Sequence, residues 1–181
     1  MPSFGRDNAG TFDPLAQFGG SLLQASSITF ECREVIPPEA DIFQLRITNG
    51  ALAYGMVEAI PDTALLANRD SQPIAVRGIA HMVGAFEDPP ASPLHVGRFG
   101  HKAQVATVLT FSADAALNEM GLTNEFVLVE NDPNGVRSPA LGDPDFCDTV
   151  ADPEDNIALG NGSDKNFIHV VTDFQRLLGP A

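Results

Sequence analysis

Cysteine is scarce in this chain: 181 residues contain two, Cys32 and Cys147. A pair so far apart excludes CxxC redox chemistry and a local zinc knuckle. Basic residues are also few. Ten Lys and Arg stand against 24 Asp and Glu, giving a net charge of −14 and a pI near 4.4. Such a surface repels phosphate and excludes nucleic acid as a partner; it suits solubility or a basic partner. No apolar run approaches the roughly 20 residues that cross a bilayer, so no membrane span is expected. The opening MPSFGRDNAG has neither the basic nor the apolar segment of a secretory signal. Internal repeats, low-complexity tracts, a Gly-x-Ser-x-Gly elbow, a Ser–His–Asp order and histidines at helical i, i+4 spacing are all missing.

What remains is ordinary for one globular domain spanning 1–181, with 44% hydrophobic and 19% charged residues. Fourteen prolines and sixteen glycines break the chain into short pieces. The first thirty residues read as irregular chain with one short extended segment at Ile28–Phe30, stopped by Pro37–Pro38. Ala40–Leu45 reads as one or two helical turns. Pro61 and a cap at Asp62 or Thr63 start a brief helix, broken by the polar stretch Asn68–Pro73. The best helical pattern runs from Gln104 to Met120, with Val105, Val108, Leu109, Ser112, Ala116 and Met120 on one face and Gly121 as the stop. A second runs from a cap at Ser163 or Asp164 to Leu178, with Phe167, Val170, Val171, Phe174 and Leu178 as its stripe. Residues 131–161 form a long acidic loop. The expected fold class is mainly α with much irregular loop.

The two cysteines allow two readings, a disulfide or two unpaired thiols. Their polar, turn-rich neighbourhoods, FECREVIPPEAD and FCDTVADPED, favour the disulfide and hence an oxidising compartment. His95 and His101 flank the loop Gly97–Gly100, whose glycines serve tight turns better than a phosphate cradle. His169 sits beside an apolar helical stripe and reads as structural. Met56, Met82 and Met120 read individually as core packing, although a thioether is also an axial haem ligand. Asp143, Asp145, Asp148, Asp152, Glu154 and Asp155 are dense enough for calcium but lack EF-hand spacing.

Several long phrases occur in one order: GTFDPLAQFGGSLLQ, CREVIPPEAD, GMVEAIPD, AHMVGAFEDPP, VGRFGHKAQVATVLTFSADAALNEMGLTN and CDTVADPED. Together they resemble the di-haem cytochrome-c-type oxidoreductases related to bacterial cytochrome c peroxidases. These are often labelled "thiol oxidoreductase", a label that does not fix a substrate. The resemblance covers about Gly10 to Asp155. It implies an incomplete cytochrome-c-like α-helical domain, haem c and iron, periplasmic location, and electron transfer with an unidentified donor or acceptor protein, with peroxidase-like activity in the intact protein. It also favours pairing Cys32 with Cys147.

The chain departs from the family pattern at informative places. It has no CxxCH, so it lacks the paired thiols that attach haem. His101 stands where relatives usually carry Trp, and Asn49–Gly50 where Thr-Pro is usual. An internal segment of a longer cytochrome is therefore expected, the alternative being a haemless structural or binding module derived from the family. Carried over by resemblance, the axial iron ligands are sought among His81, Met82 and Met56. Arg98 and Lys102 are the candidates to meet haem propionates, and His101, in place of the usual Trp, is a candidate new ligand to the haem.

Overall fold

The structure, a computed structural model, describes residues 2–19, 22–24, 26, 27, 29, 30, 32–45, 47, 50–131, 134, 147, 150–156 and 165–180. Its architecture overturns the expected mainly α, cytochrome-c-like class. Four α-helices share the described residues with five strands in two small antiparallel sheets, a mixed α/β arrangement. Contacts divide the chain into two compact units, Met1–Thr48 with Ala115–Asp155 and Asn49–Asp114 with Asn156–Ala181.

The first unit is built on a three-stranded sheet of order β2-β1-β3, from β1 (Pro2–Asn8), β2 (Thr11–Asp13) and β3 (Ile42–Leu45). β1 and β2 form a tight hairpin. Asn8 pairs with Thr11, so the turn is Ala9–Gly10 alone, at φ 53° and 86°. Two consecutive positive φ values match the twist of the flanking strands. The amide of Gly10 donates to Asp7 Oδ1 at 2.7 Å, and Arg6 bridges Asp13 at 2.7 Å across the hairpin. This corrects the irregular reading of the amino-terminal stretch. It also corrects Ala40–Leu45, where β3 replaces the helical turns because Phe4 and Gly5 of β1 pair with Phe43 and Ile42. A partner nearly forty residues away outweighs local preference. Phe30 lies in a bend, and Ile28 falls outside the described residues.

Phe4 and Leu15 are fully buried in this unit, as are Thr123 and Asn124. A π-helical turn, Ala116–Met120, buries Ala116 and Leu117 and ends at Gly121, whose φ of 68° is the expected left-handed stop. Cys32 and Cys147 are joined in a disulfide that closes a separation of 115 residues. Beside it, the Asn134 side chain accepts from the Val35 amide at 2.8 Å and donates to the Arg33 carbonyl at 3.1 Å.

The second unit contains α1 (Tyr54–Glu58), α2 (Asp62–Ser71), the hairpin pair β4 (Met82–Val83) and β5 (His95–Val96), α3 (Val108–Ala115, all but its last residue) and α4 (Phe167–Leu177). Its core is Tyr54, Phe99, Val105 and Val108, with Ala51 and Phe111 packed against them. Tyr54 meets Phe99 at a centroid distance of 4.9 Å and Phe111 edge-on at 5.7 Å, geometries that suit the ring quadrupoles.

Helix boundaries move for identifiable reasons. α3 begins at Val108 rather than Gln104, because Val105 is bridged to Phe99 and Thr107 Oγ1 caps the Thr110 amide at 3.1 Å. α2 runs through Ser71, past the polar residues expected to break it, since a helix with no buried residue tolerates a polar end. In α4 the buried positions are Ile168 and Thr172. Phe167, Val170 and Phe174 of the expected core stripe face outward. Ser163 and Asp164, the expected caps, lie outside the described residues; the N-cap position is Asn166. Among the described residues no helix is long and apolar enough to cross a membrane.

Closing a loop this long removes much of the unfolded chain's freedom, by about 4–5 kcal/mol in the loop-entropy account. Chemical denaturation with and without reductant should show the oxidised protein more stable by about that amount. Equal midpoints would mean that the bond constrains nothing.

Candidate functional site

The second unit concentrates charge around Arg98. Its guanidinium is nearly buried and reaches Asp62 Oδ1, while the same group donates to the carbonyls of Glu58 at 2.9 Å, Ile60 at 2.6 Å, Val57 at 3.3 Å and Val96 at 3.3 Å. The carbonyls of Val57, Glu58 and Ile60 close α1 and lead into α2, so one cation satisfies groups that a short helix leaves orphaned. Asp62 Oδ2 accepts from the Val96 amide at 3.2 Å and lies 3.3 Å from His95 Nδ1. The other His95 nitrogen lies 3.0 Å from Asp88 Oδ2. His95 is thereby held between two carboxylates.

Glu58, one turn of chain away, accepts from the Val108 amide at 2.7 Å and pairs in two-pronged fashion with Arg176 at 2.6 and 3.0 Å. Burial pushes its carboxyl up, but the hydrogen bonds from Arg176 and Val108 and the charges of Arg176 and Arg98 outweigh that and hold it below its ordinary value. Glu58, Ile60, Asp62, Thr63, His95 and Arg98 line an open cleft of about 320 Å³.

Beside this cluster runs the loop 97–105. Gly97 donates to the His81 carbonyl at 2.8 Å, and a side chain there would collide with the Ala103 carbonyl, 1.9 Å from its Cβ position. The close approach that only glycine permits puts the Ala103 carbonyl 3.1 Å from His81 Nδ1. Arg98 and Phe99 amides both donate to Val105, Ala103 donates to Gly100, and Lys102 donates to the Gln104 side chain. These amides turn inward rather than forming a phosphate cradle; Gly100, at φ 77°, serves the expected tight turn, whereas Gly97 continues the chain after β5 and serves a close backbone approach instead.

The residues singled out by sequence are thus distributed unevenly. Arg98 is engaged inside the protein, its guanidinium on Asp62 and on backbone carbonyls. Lys102 and His101 are exposed on the turn after Gly100. His81 is exposed. Met56 on α1 is 63% exposed and Met82 on β4 is 39% exposed, with Met120 also outside, so the core-packing reading of these methionines is corrected. Sequence reading missed Glu58, Asp88 and Arg176, and took Asp62 only as a helix cap, whereas the N-cap position is Pro61 and Asp62 stands in the first turn. Two of these lie inside the phrase GMVEAIPD, yet only the fold shows what they hold.

In the first unit, Glu130, Asp152 and Glu154 bring ligand-type oxygens within 4.8 Å of one another. Thr123 ties two of them together: its hydroxyl donates to Asp152 at 2.5 Å and its amide donates to Glu154 at 2.9 Å. Asp155, among the calcium candidates, is buried instead, its amide donating to the Thr123 carbonyl; Asp143, Asp145 and Asp148 lie outside the described residues.

Compared with known proteins, the chain matches no protein-family model, no curated protein and no solved structure.

Two outcomes follow from the charge cluster. Arg98→Ala leaves Asp62 and several carbonyls without their donor and should cost about 3–5 kcal/mol by chemical denaturation; Arg98→Lys, which cannot span the same acceptors, should recover little of it. Because the Glu58 carboxyl is lowered in the folded state, its contribution is complete above its ordinary value of 4.5 and is lost as pH falls through the folded value. Stability measured from pH 7 to pH 3 should therefore fall less steeply in Glu58→Gln than in the parent, and parallel curves would contradict this assignment.

Proposed function

We propose that the chain is part of a periplasmic di-haem c-type cytochrome oxidoreductase and serves electron transfer, with peroxidase-like activity in the intact protein. The observation that carries this reading is the posture of His81. A carbonyl only accepts, so the contact with Ala103 puts the proton on Nδ1 and leaves the Nε2 lone pair outward on an exposed ring. A histidine held at one nitrogen by a backbone carbonyl and open at the other is the usual posture of an iron ligand. Haem bound there would supply a one-electron couple.

The residues present fit an axial role better than an attachment role. Both cysteines are consumed in the disulfide, so no thioether can form on this chain. Met82, next in sequence and partly exposed, offers a second donor, and Met56 a third. Lys102 carries a cationic side chain on the same loop as the Ala103 carbonyl, where it would meet a propionate; His101, exposed on that loop, offers a further nitrogen donor, and Arg98 holds the loop in place. The disulfide supports an oxidising compartment such as the periplasm. The haemless binding module is the competing outcome, favoured by the absence of CxxCH.

Titrating haem into the oxidised chain and following its Soret absorption separates the two. A saturable shift is expected, weakened by more than about tenfold in His81→Ala with far-ultraviolet circular dichroism unchanged. No shift, or an equal shift in His81→Ala, would remove the axial assignment and leave the haemless module.

A further inference from the structure

We propose that the Cys32–Cys147 disulfide is a clasp opened in one direction by a small external thiol, which attacks Sγ of Cys147 and expels Cys32 as the thiolate. The two sulfurs are placed differently. Cys32 is 7% exposed, whereas Cys147 is only partly buried, so an incoming nucleophile meets Cys147 first. The Thr29 hydroxyl donates to Cys32 Sγ at 3.2 Å. A donor on one sulfur stabilises negative charge there and makes it the better leaving group. Thr29 is itself positioned, since the Ser27 hydroxyl donates to its carbonyl at 2.5 Å.

The exchange balances without a further reactant. The external thiolate forms a bond to Cys147 Sγ as the Cys32–Cys147 bond breaks, and the bonding pair leaves on Cys32. A second thiolate attacks the external sulfur of that mixed disulfide and releases Cys147. Two small thiols are oxidised to their disulfide, and the protein takes up two electrons and two protons. Noncovalent ties of the same unit, Asn134 to Arg33 and Val35 and Thr123 to Asp152 and Glu154, do not involve either sulfur, so breaking the bond removes none of their donors or acceptors. Reduction therefore loosens this part of the first unit without dismantling it. A net charge of −14 favours a thiol that is not itself anionic.

The test uses the oxidised full chain under native conditions with cysteamine as the thiol. Exchange is quenched with N-ethylmaleimide, and the modified peptides are located by mass spectrometry. Cysteamine on Cys147 with maleimide on Cys32 is expected. Cysteamine on Cys32, equal labelling of both, or exchange only after denaturation would overturn the proposal. Thr29→Val should slow the first step about fivefold while Thr29→Ser preserves it; an unchanged rate in Thr29→Val would remove the leaving-group assignment. Thioredoxin run in parallel at equal thiol concentration should act more slowly, and faster opening by thioredoxin would overturn the assignment to a small thiol.

Discussion

The second unit depends on the Arg98–Asp62 pair. A buried guanidinium survives only if its donors are spent, and here they are spent on a carboxylate and on backbone carbonyls at the junction of two helices. Asp62 sits in the first turn of α2, where negative charge meets the positive end of the helix dipole; Arg98 meets the negative end of α1. The pair thus closes one helix and opens the next with a single contact. It then passes the constraint to β5 through the Val96 amide and to His95, and through His95 to Asp88. Glu58 extends the network from the end of α1 to the start of α3 and to Arg176 of α4.

That network explains why the loop after Arg98 has its shape. With Arg98 drawn toward α1, the chain returns on itself, Phe99 bridges Val105 and buries against Tyr54, and Gly97 presses against the Ala103 carbonyl. His81 takes its orientation from that carbonyl. A structural ion pair and a candidate ligand are therefore consecutive links in one chain of contacts. In the first unit the corresponding role falls to covalent and side-chain ties across long separations: the disulfide, Asn134 and Thr123 hold segments that short strands alone would leave loose.

Local patterns reported what depends on neighbouring residues. The left-handed stop at Gly121, the existence of helices around Val108–Ala115 and Phe167–Leu177, and the turn role of Gly100 were all readable, because each follows from periodicity or from a backbone conformation that one residue type permits. The fold class was misread because its strands are short. Four of the five described strands have only two to four residues, too little alternation to announce a strand, and β3 exists only because the longer β1 supplies its hydrogen-bond partners. The orientation of α4 was misread for a similar reason: Phe167, Val170 and Phe174 have the right spacing for a core face, but the unit buries Ile168 and Thr172 instead.

By itself the sequence determined the acidic balance, the lack of paired haem-attaching thiols, the helix stops and the residues available for chemistry, since these are properties of composition and of short stretches. Only the tertiary structure determined that Arg98 is spent on Asp62, that the methionines stand outside the core and that His81 is held by the Ala103 carbonyl. Burial and pairing are relations between distant residues, and the free energy of a buried charge is set by which partners surround it, a quantity no local pattern contains.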